Sequence, residues 1–104
     1  MAQFDVFVNP ISAARRAYPF VVALQSDLAL NAREQIVAPL VTSQSMPEII
    51  SRLTPFVALD GSKYMVLVPA LGGVRSRDLA NPVSSLASAR GELLAAIDYL
   101  FFGV

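Results

Sequence analysis

Few side chains in this chain of 104 residues can make or break a bond, and their spacing gives them no partners. There is no histidine and no cysteine. That removes imidazole acid–base catalysis, Ser-His-Asp triads, thiolate nucleophiles, disulfides and Cys/His zinc sites. The eight acids are scattered singly, with no Asp-x-Asp or Glu-x-x-Glu cluster to hold a divalent cation. Ser43 and Ser45 have no recognisable base, and Asp98 has no partner acid or base. Gly72-Gly73 lacks the further glycine and the lysine of a phosphate loop, so it reads as a turn. No catalytic residue, metal site or cofactor is expected, and what remains is binding chemistry.

The residues placed to bind lie at the terminus. Leu93, Leu94, Ile97, Leu100, Phe101 and Phe102 run into Gly103-Val104, where most domains end in a polar tail. Adjacent helical positions lie about 100° apart, so Phe101 and Phe102 point different ways. If one is buried in the domain, the other sits on a partner.

The composition agrees. Hydrophobic residues make up 55% of the chain and charged residues 15%, against about a quarter charged in an average soluble chain. One domain over residues 1–104 has a single small core, so part of this apolar surface is expected in a homodimer interface. Net charge is zero, with seven arginines and Lys63 balancing eight acids. Arg15-Arg16 and Arg75/Arg77 are the local basic clusters and read as solvated loops, so no direct nucleic-acid binding is expected. The N-terminus MAQFDVFVNP has no basic leader and no long apolar stretch. No uncharged apolar run nears about 20 residues, so no membrane span is expected. With cysteine absent, a cytoplasmic location fits.

These residues need elements to position them. Alternation predicts a strand over 3–8, with Phe4, Val6 and Val8 on one face and Gln3, Asp5 and Phe7 on the other. Pro19 to Gln25 and Gln35 to Val41 are β-rich apolar runs, and Pro39 inside the second calls for an edge position or a bulge. Residues 46–53 read as a helical turn or an irregular crossing. Asp60-Gly61 between Phe56–Leu59 and Tyr64–Val68 predicts a tight hairpin, because a primed turn needs positive φ there. Gly72-Gly73 permits a bend or bulge, and Pro82 opens a short extended piece. A helix is expected over about 88–101, with Ser85 and Ser88 as candidate caps and Gly103 at its end. Leu93, Ile97, Leu100 and Val104 form one stripe, and Leu94 and Phe101 a second. Short antiparallel strands followed by one helix predict a mainly β fold, a strongly bent sheet or barrel closed by a C-terminal helix.

Four stretches carry a family resemblance: AQFDVFVNP, RAYPFVVALQSDLALNAREQIVAPL, TPFVALDGSKYMVLVP and LLAAIDYLFFGV. In order and spacing they resemble the CcdB family of bacterial toxins. The landmarks are Gln3-Phe4, Phe20-Val21, Gln25-Ser26-Asp27, Pro39-Leu40, Pro55, Val57 and Gly103. The resemblance implies an SH3-like, strongly bent antiparallel sheet, a small three-stranded wing sheet, a C-terminal helix and a symmetric dimer. It implies a toxin that binds the DNA gyrase A subunit, traps the cleaved DNA complex and performs no chemistry itself. It also implies a cognate antitoxin whose disordered C-terminal segment folds on contact.

By the same resemblance the target-binding residues are Leu28, Ala29, Asp98, Phe101, Phe102, Gly103 and Val104. Five of these depart from the family pattern. Phe102 stands where the family has a tryptophan that stacks on a gyrase arginine, a change worth roughly 1–2 kcal/mol of cation–π attraction. Leu28 and Ala29 replace two isoleucines, Asp98 an asparagine and Val104 an isoleucine. The departures leave open a homologue that keeps fold and antitoxin but does not poison gyrase. A third reading is an endoribonuclease, as in a related toxin family, using Arg15, Arg16, Arg75 or Arg77; neutral charge and missing histidine oppose it.

Overall fold

The computed structural model describes residues 2–26, 33–42 and 52–103. The architecture is mainly β. Seven strands form one antiparallel, barrel-like sheet, followed by one C-terminal helix. The strands are β1 (Asp5–Val8), β2 (Phe20–Ala23), β3 (Glu34–Thr42), β4 (Phe56–Leu59), β5 (Ser62–Val66), β6 (Gly72–Arg75) and β7 (Ser84–Ser85), and the helix α1 is Arg90–Phe102. The order is β4-β5-β3-β2-β1-β7, with β6 also on β3.

β3 is the branching strand. One edge pairs with β2, from Phe20↔Leu40 to Ala23↔Val37. The other is shared: Glu34 to Val37 pair with β6, and Leu40 to Thr42 pair with β5. Pro39 is therefore on a central strand, which corrects the expected edge or bulge. It sits where β6 hands over to β5, and its missing N–H faces that gap, so neither ladder loses a bond. A 3-10 turn at Val68–Ala70 spans the gap, and the Leu67 N–H donates to the Pro39 carbonyl at 2.9 Å. With the end of β3, β4 and β5 make the expected three-stranded wing.

The Asp60-Gly61 hairpin is present, with φ of 51° and 80° at the two residues. Gly72-Gly73 is strand and not bend, since both pair with β3. The first strand begins at Asp5, because Phe4 has φ 68° and turns the chain. That left-handed conformation costs about 1–3 kcal/mol for a bulky residue. It is held by the Phe4 N–H donating to Ala23 O at 2.8 Å, by Leu86 N–H donating to Phe4 O at 2.8 Å, and by complete burial of the ring.

The alternation expected in β1 is present, with Val6 and Phe7 on opposite faces, but both faces are buried. Val6 and Phe7 are both fully buried, while Val8 is exposed. β1 lies inside the sheet, between β2 and β7, and both of its faces are covered. Val6 faces the main core with Val22, Ala38, Leu40 and Leu93. Phe7 faces a second cluster with Val21, Ala23, Val37 and Leu79, closed by the turn after β6.

The helix starts later than expected, after a 3-10 turn at Ala87–Ala89. Neither serine caps it. Ser85 Oγ instead accepts the Ala87 N–H at 3.2 Å, and Ala89 holds the cap position with no side-chain bond. Leu93 and Ala96 are buried against the sheet, with Ile97 and Leu100 packed at their flanks. The expected segment at 46–53 lies outside the described residues except for Arg52 and Leu53, which are in a turn.

Leu93 is the helix's deepest anchor. Leu93→Ala is expected to cost about 2–5 kcal/mol, read as a lower urea midpoint with an unchanged slope, because a buried leucine leaves both lost transfer energy and a cavity.

Candidate functional site: the C-terminal end of the helix

Sequence order delivers the terminal aromatics to the end of α1, a helix that packs on the sheet through Leu93 and Ala96. Phe102 lies about 180° around the helix from Leu93, so anchoring Leu93 in the core turns Phe102 outward. Phe102 is 74% exposed and Phe101 61%. Neither phenylalanine is buried in the domain, because the helix packs on the sheet through Leu93 and Ala96.

Phe101 forms the rim of an apolar recess of about 330 Å³, with walls from Leu24, Gln25, Ile36, Leu71 and Ile97. Gln25 shapes this recess from below. Its Oε1 accepts the Ile36 N–H at 2.7 Å, continuing the β2–β3 ladder past the end of β2. Gln3 ties the same corner to the helix: its Nε2 donates to Leu24 O at 3.0 Å and its Oε1 accepts from Arg90 at 2.9 Å. These two landmark glutamines are thus scaffold for the recess, a role their position in the sequence did not disclose.

Asp98 is exposed one turn before Phe102 on the same side of α1. Tyr99 borders them and is covered by Arg52, whose guanidinium carbon lies 4.4 Å from the ring centroid. The helix closes on Gly103, at φ 72° and ψ 21°, and the Gly103 N–H donates to Tyr99 O at 3.0 Å. Only a residue at ease in the left-handed region ends a helix this way, and glycine is the usual one. The last turn holds no basic residue. Its outward carbonyls carry the negative end of the helix dipole, and Asp98 adds to it. The surface therefore combines exposed aromatic rings with the Asp98 carboxylate and the negative end of the helix, with the Arg52 guanidinium at its border.

Of the expected target-binding residues, the structure brings Asp98, Phe101, Phe102 and Gly103 onto this surface. Leu28, Ala29 and Val104 lie outside the described residues. Tyr99 and the recess walls were missed, because their apolar runs read as ordinary core. Arg15 is held on its own loop, its Nε donating to Asn9 O at 2.6 Å. Among the described residues no three acids group as a cation site would need.

The sequence profile of the CcdB family, described as CcdB protein, matches residues 3–103. The chain belongs to the CcdB family. Membership makes it a toxin of the toxin–antitoxin kind and accounts for the bent sheet, the wing and the terminal helix together. Comparison with curated proteins returns no match. In this CcdB-family chain the described residues of the helix end expose two phenylalanine rings beside the Asp98 carboxylate. Among the described residues no helix is long and apolar enough to cross a membrane.

Gly103 sets how the last turn is presented. Gly103→Val is expected to fray that turn at a cost of about 1 kcal/mol or more, seen as faster amide exchange at Phe101 and Phe102 with the sheet unaffected.

Proposed function

We propose that this single-domain protein is a non-enzymatic cytoplasmic toxin that binds the DNA gyrase A subunit, or a related type II topoisomerase, and traps the cleaved DNA complex. The observation that carries this reading is the pair of exposed phenylalanines at a helix C-terminus, beside Asp98 and with no basic residue in the helix's own last turn. An arginine of the target stacks on Phe102, and its guanidinium reaches Asp98 and the last carbonyls. A phenylalanine face attracts a cation less than tryptophan does. Asp98 offsets this with an ion pair to the guanidinium, which an asparagine there would not make. Leu28, Ala29 and Val104 complete the contact, as the family resemblance implies.

The apolar outer side of α1 supports a homodimer. Ala95, Tyr99 and Phe102 are all exposed on it, and such a face is stable in water when a second copy covers part of it. Because an interface of two copies needs roughly 800 Å² from each, the dimer covers more than these residues alone. A cognate antitoxin with a disordered C-terminal segment is the natural inhibitor, binding as it folds.

The departures at Phe102, Ala29 and Asp98 favour a second reading, in which fold and antitoxin are kept but gyrase is no longer poisoned. The two separate on one variant pair in cells. Phe102→Ala is expected to abolish growth arrest while the protein stays folded, and Phe102→Trp to keep or strengthen it. Arrest that survives Phe102→Ala in soluble, folded protein contradicts the assignment. Absence of arrest with the wild-type chain, present as soluble protein, supports the second reading.

A further inference from the structure

One edge of the sheet lies open beside a cleft of arginines. Among the described residues β6 pairs with β3 alone, and no strand lies along its other side. The register shows which peptide groups face outward. Leu24 N–H donates to Ile36 O, so Ile36 turns its peptide groups toward β2, and Gln35 and Val37 turn theirs toward β6. Their partners Val74 and Gly72 bond inward, and Ser76 continues the pattern, its N–H donating to Arg33 O at 2.8 Å. Gly73 and Arg75 therefore present their N–H and C=O groups outward. The faces of β6 are uncrowded at the glycines as well: a Cβ placed at Gly72 or Gly73 meets no atom within 4 Å.

At the end of this edge is a cleft of about 700 Å³ lined by Arg33, Glu34, Arg75, Ser76 and Arg77. Among the described residues three cations face one carboxylate there, in a chain whose net charge is zero. The backbone of the cleft is firm. Arg33 and Ser76 are hydrogen-bonded to each other, Glu34 pairs with Arg75, and the buried Gln35 donates to Ser76 Oγ at 3.3 Å. Neither Arg33 nor Glu34 was singled out by the sequence, and Arg75/Arg77 read as a solvated loop.

An open edge offers donors and acceptors at strand spacing, which a polypeptide backbone matches and a phosphodiester does not. Guanidinium forks take carboxylates in pairs of parallel hydrogen bonds. We propose that the outer edge of β6 and the Arg33/Arg75/Arg77 cleft form a docking site for an extended acidic peptide segment of a partner protein. The segment adds as a strand against Gly73 and Arg75 and lays its carboxylates on the three arginines. The site shares no residue with the helix end and its recess, so the inference holds whichever target that end binds.

The test uses the full-length protein, 15N-labelled, and a short fluorescein-labelled peptide of alternating glutamate and valine. Saturable binding is expected, with slowed amide exchange at Gly73 and Arg75, and with no binding of the same peptide carrying lysine for glutamate. Arg75→Gln with Arg77→Gln is expected to weaken binding about tenfold or more. Gly73→Pro is expected to weaken it as much, since it removes an outward N–H that the β3 ladder does not use, while Gly73→Ala leaves it unchanged. If Gly73→Pro fails to fold, the amide protection in the wild-type protein decides. No binding at about millimolar peptide overturns the proposal. So does binding that ignores Gly73→Pro and leaves the Gly73 and Arg75 amides unprotected. A single-stranded oligonucleotide that binds through the same arginines with no effect of Gly73→Pro identifies a phosphate site instead and also overturns it. Protection of this edge by self-association, seen as concentration-dependent sedimentation without peptide, does the same.

Discussion

The fold depends on β3 having three partners. Its long run from Glu34 to Thr42 carries β2 along one edge and both β6 and β5 along the other. A strand can serve two partners on one edge only if the ladder breaks between them, and Pro39 is the break. Its ring removes a donor at the one position where no partner strand asks for it. From this follows the division into a barrel-like part, where β6, β3, β2, β1 and β7 adjoin, and a wing made by β4, β5 and the end of β3. The helix then has one place to lie. Ala38 and Leu40 of β3, with Val22 and Val6, face Leu93 and Ala96, and that contact fixes the rotation of α1.

Rotation decides function here, because the helix is apolar on nearly every side. Burying Leu93 and Ala96 points Phe102 away from the sheet and leaves Phe101 at the rim of the recess. Gly103 stops the helix in a left-handed turn, so the last carbonyls and Asp98 gather beside the rings. Aromatic faces next to the negative end of a helix make a receptor for a cationic side chain. Under the proposed function, such a surface holds its target by contact.

Local signals were the legible ones. Asp60-Gly61 needs positive φ at both residues and the hairpin follows; Gly103 ends the helix for a related reason. The existence of β2 and β3 was written in runs of Val, Ile, Leu and Phe. Signals that depend on what covers an element were not legible. Alternation put Phe7 on the face opposite Val6 but did not tell that β1 is covered on both faces. Pro39 looked like an edge residue because a broken ladder within a central strand leaves no mark in the sequence. Gly72-Gly73 looked like a bend, yet both residues lie in β6 opposite β3. Ser88 and Ser85 have capping chemistry, but the 3-10 turn that precedes the helix moved its start beyond their reach. At the site, Phe102 and Gly103 were readable from the terminus itself. The recess walls Leu24, Ile36 and Leu71, and the meeting of Arg33 with Arg75 and Arg77, depend on strands brought together from distant parts of the chain.

The central claim is that the helix end seizes a type II topoisomerase with its cleaved DNA in place. The most direct measurement mixes the purified protein with gyrase, supercoiled DNA and ATP, and looks for linear DNA covalently held by the enzyme after detergent. The account predicts linear DNA with gyrase attached, in amounts that rise with the protein and are lost with Phe102→Ala. Absence of trapped cleavage with a folded protein that still binds its antitoxin would contradict it.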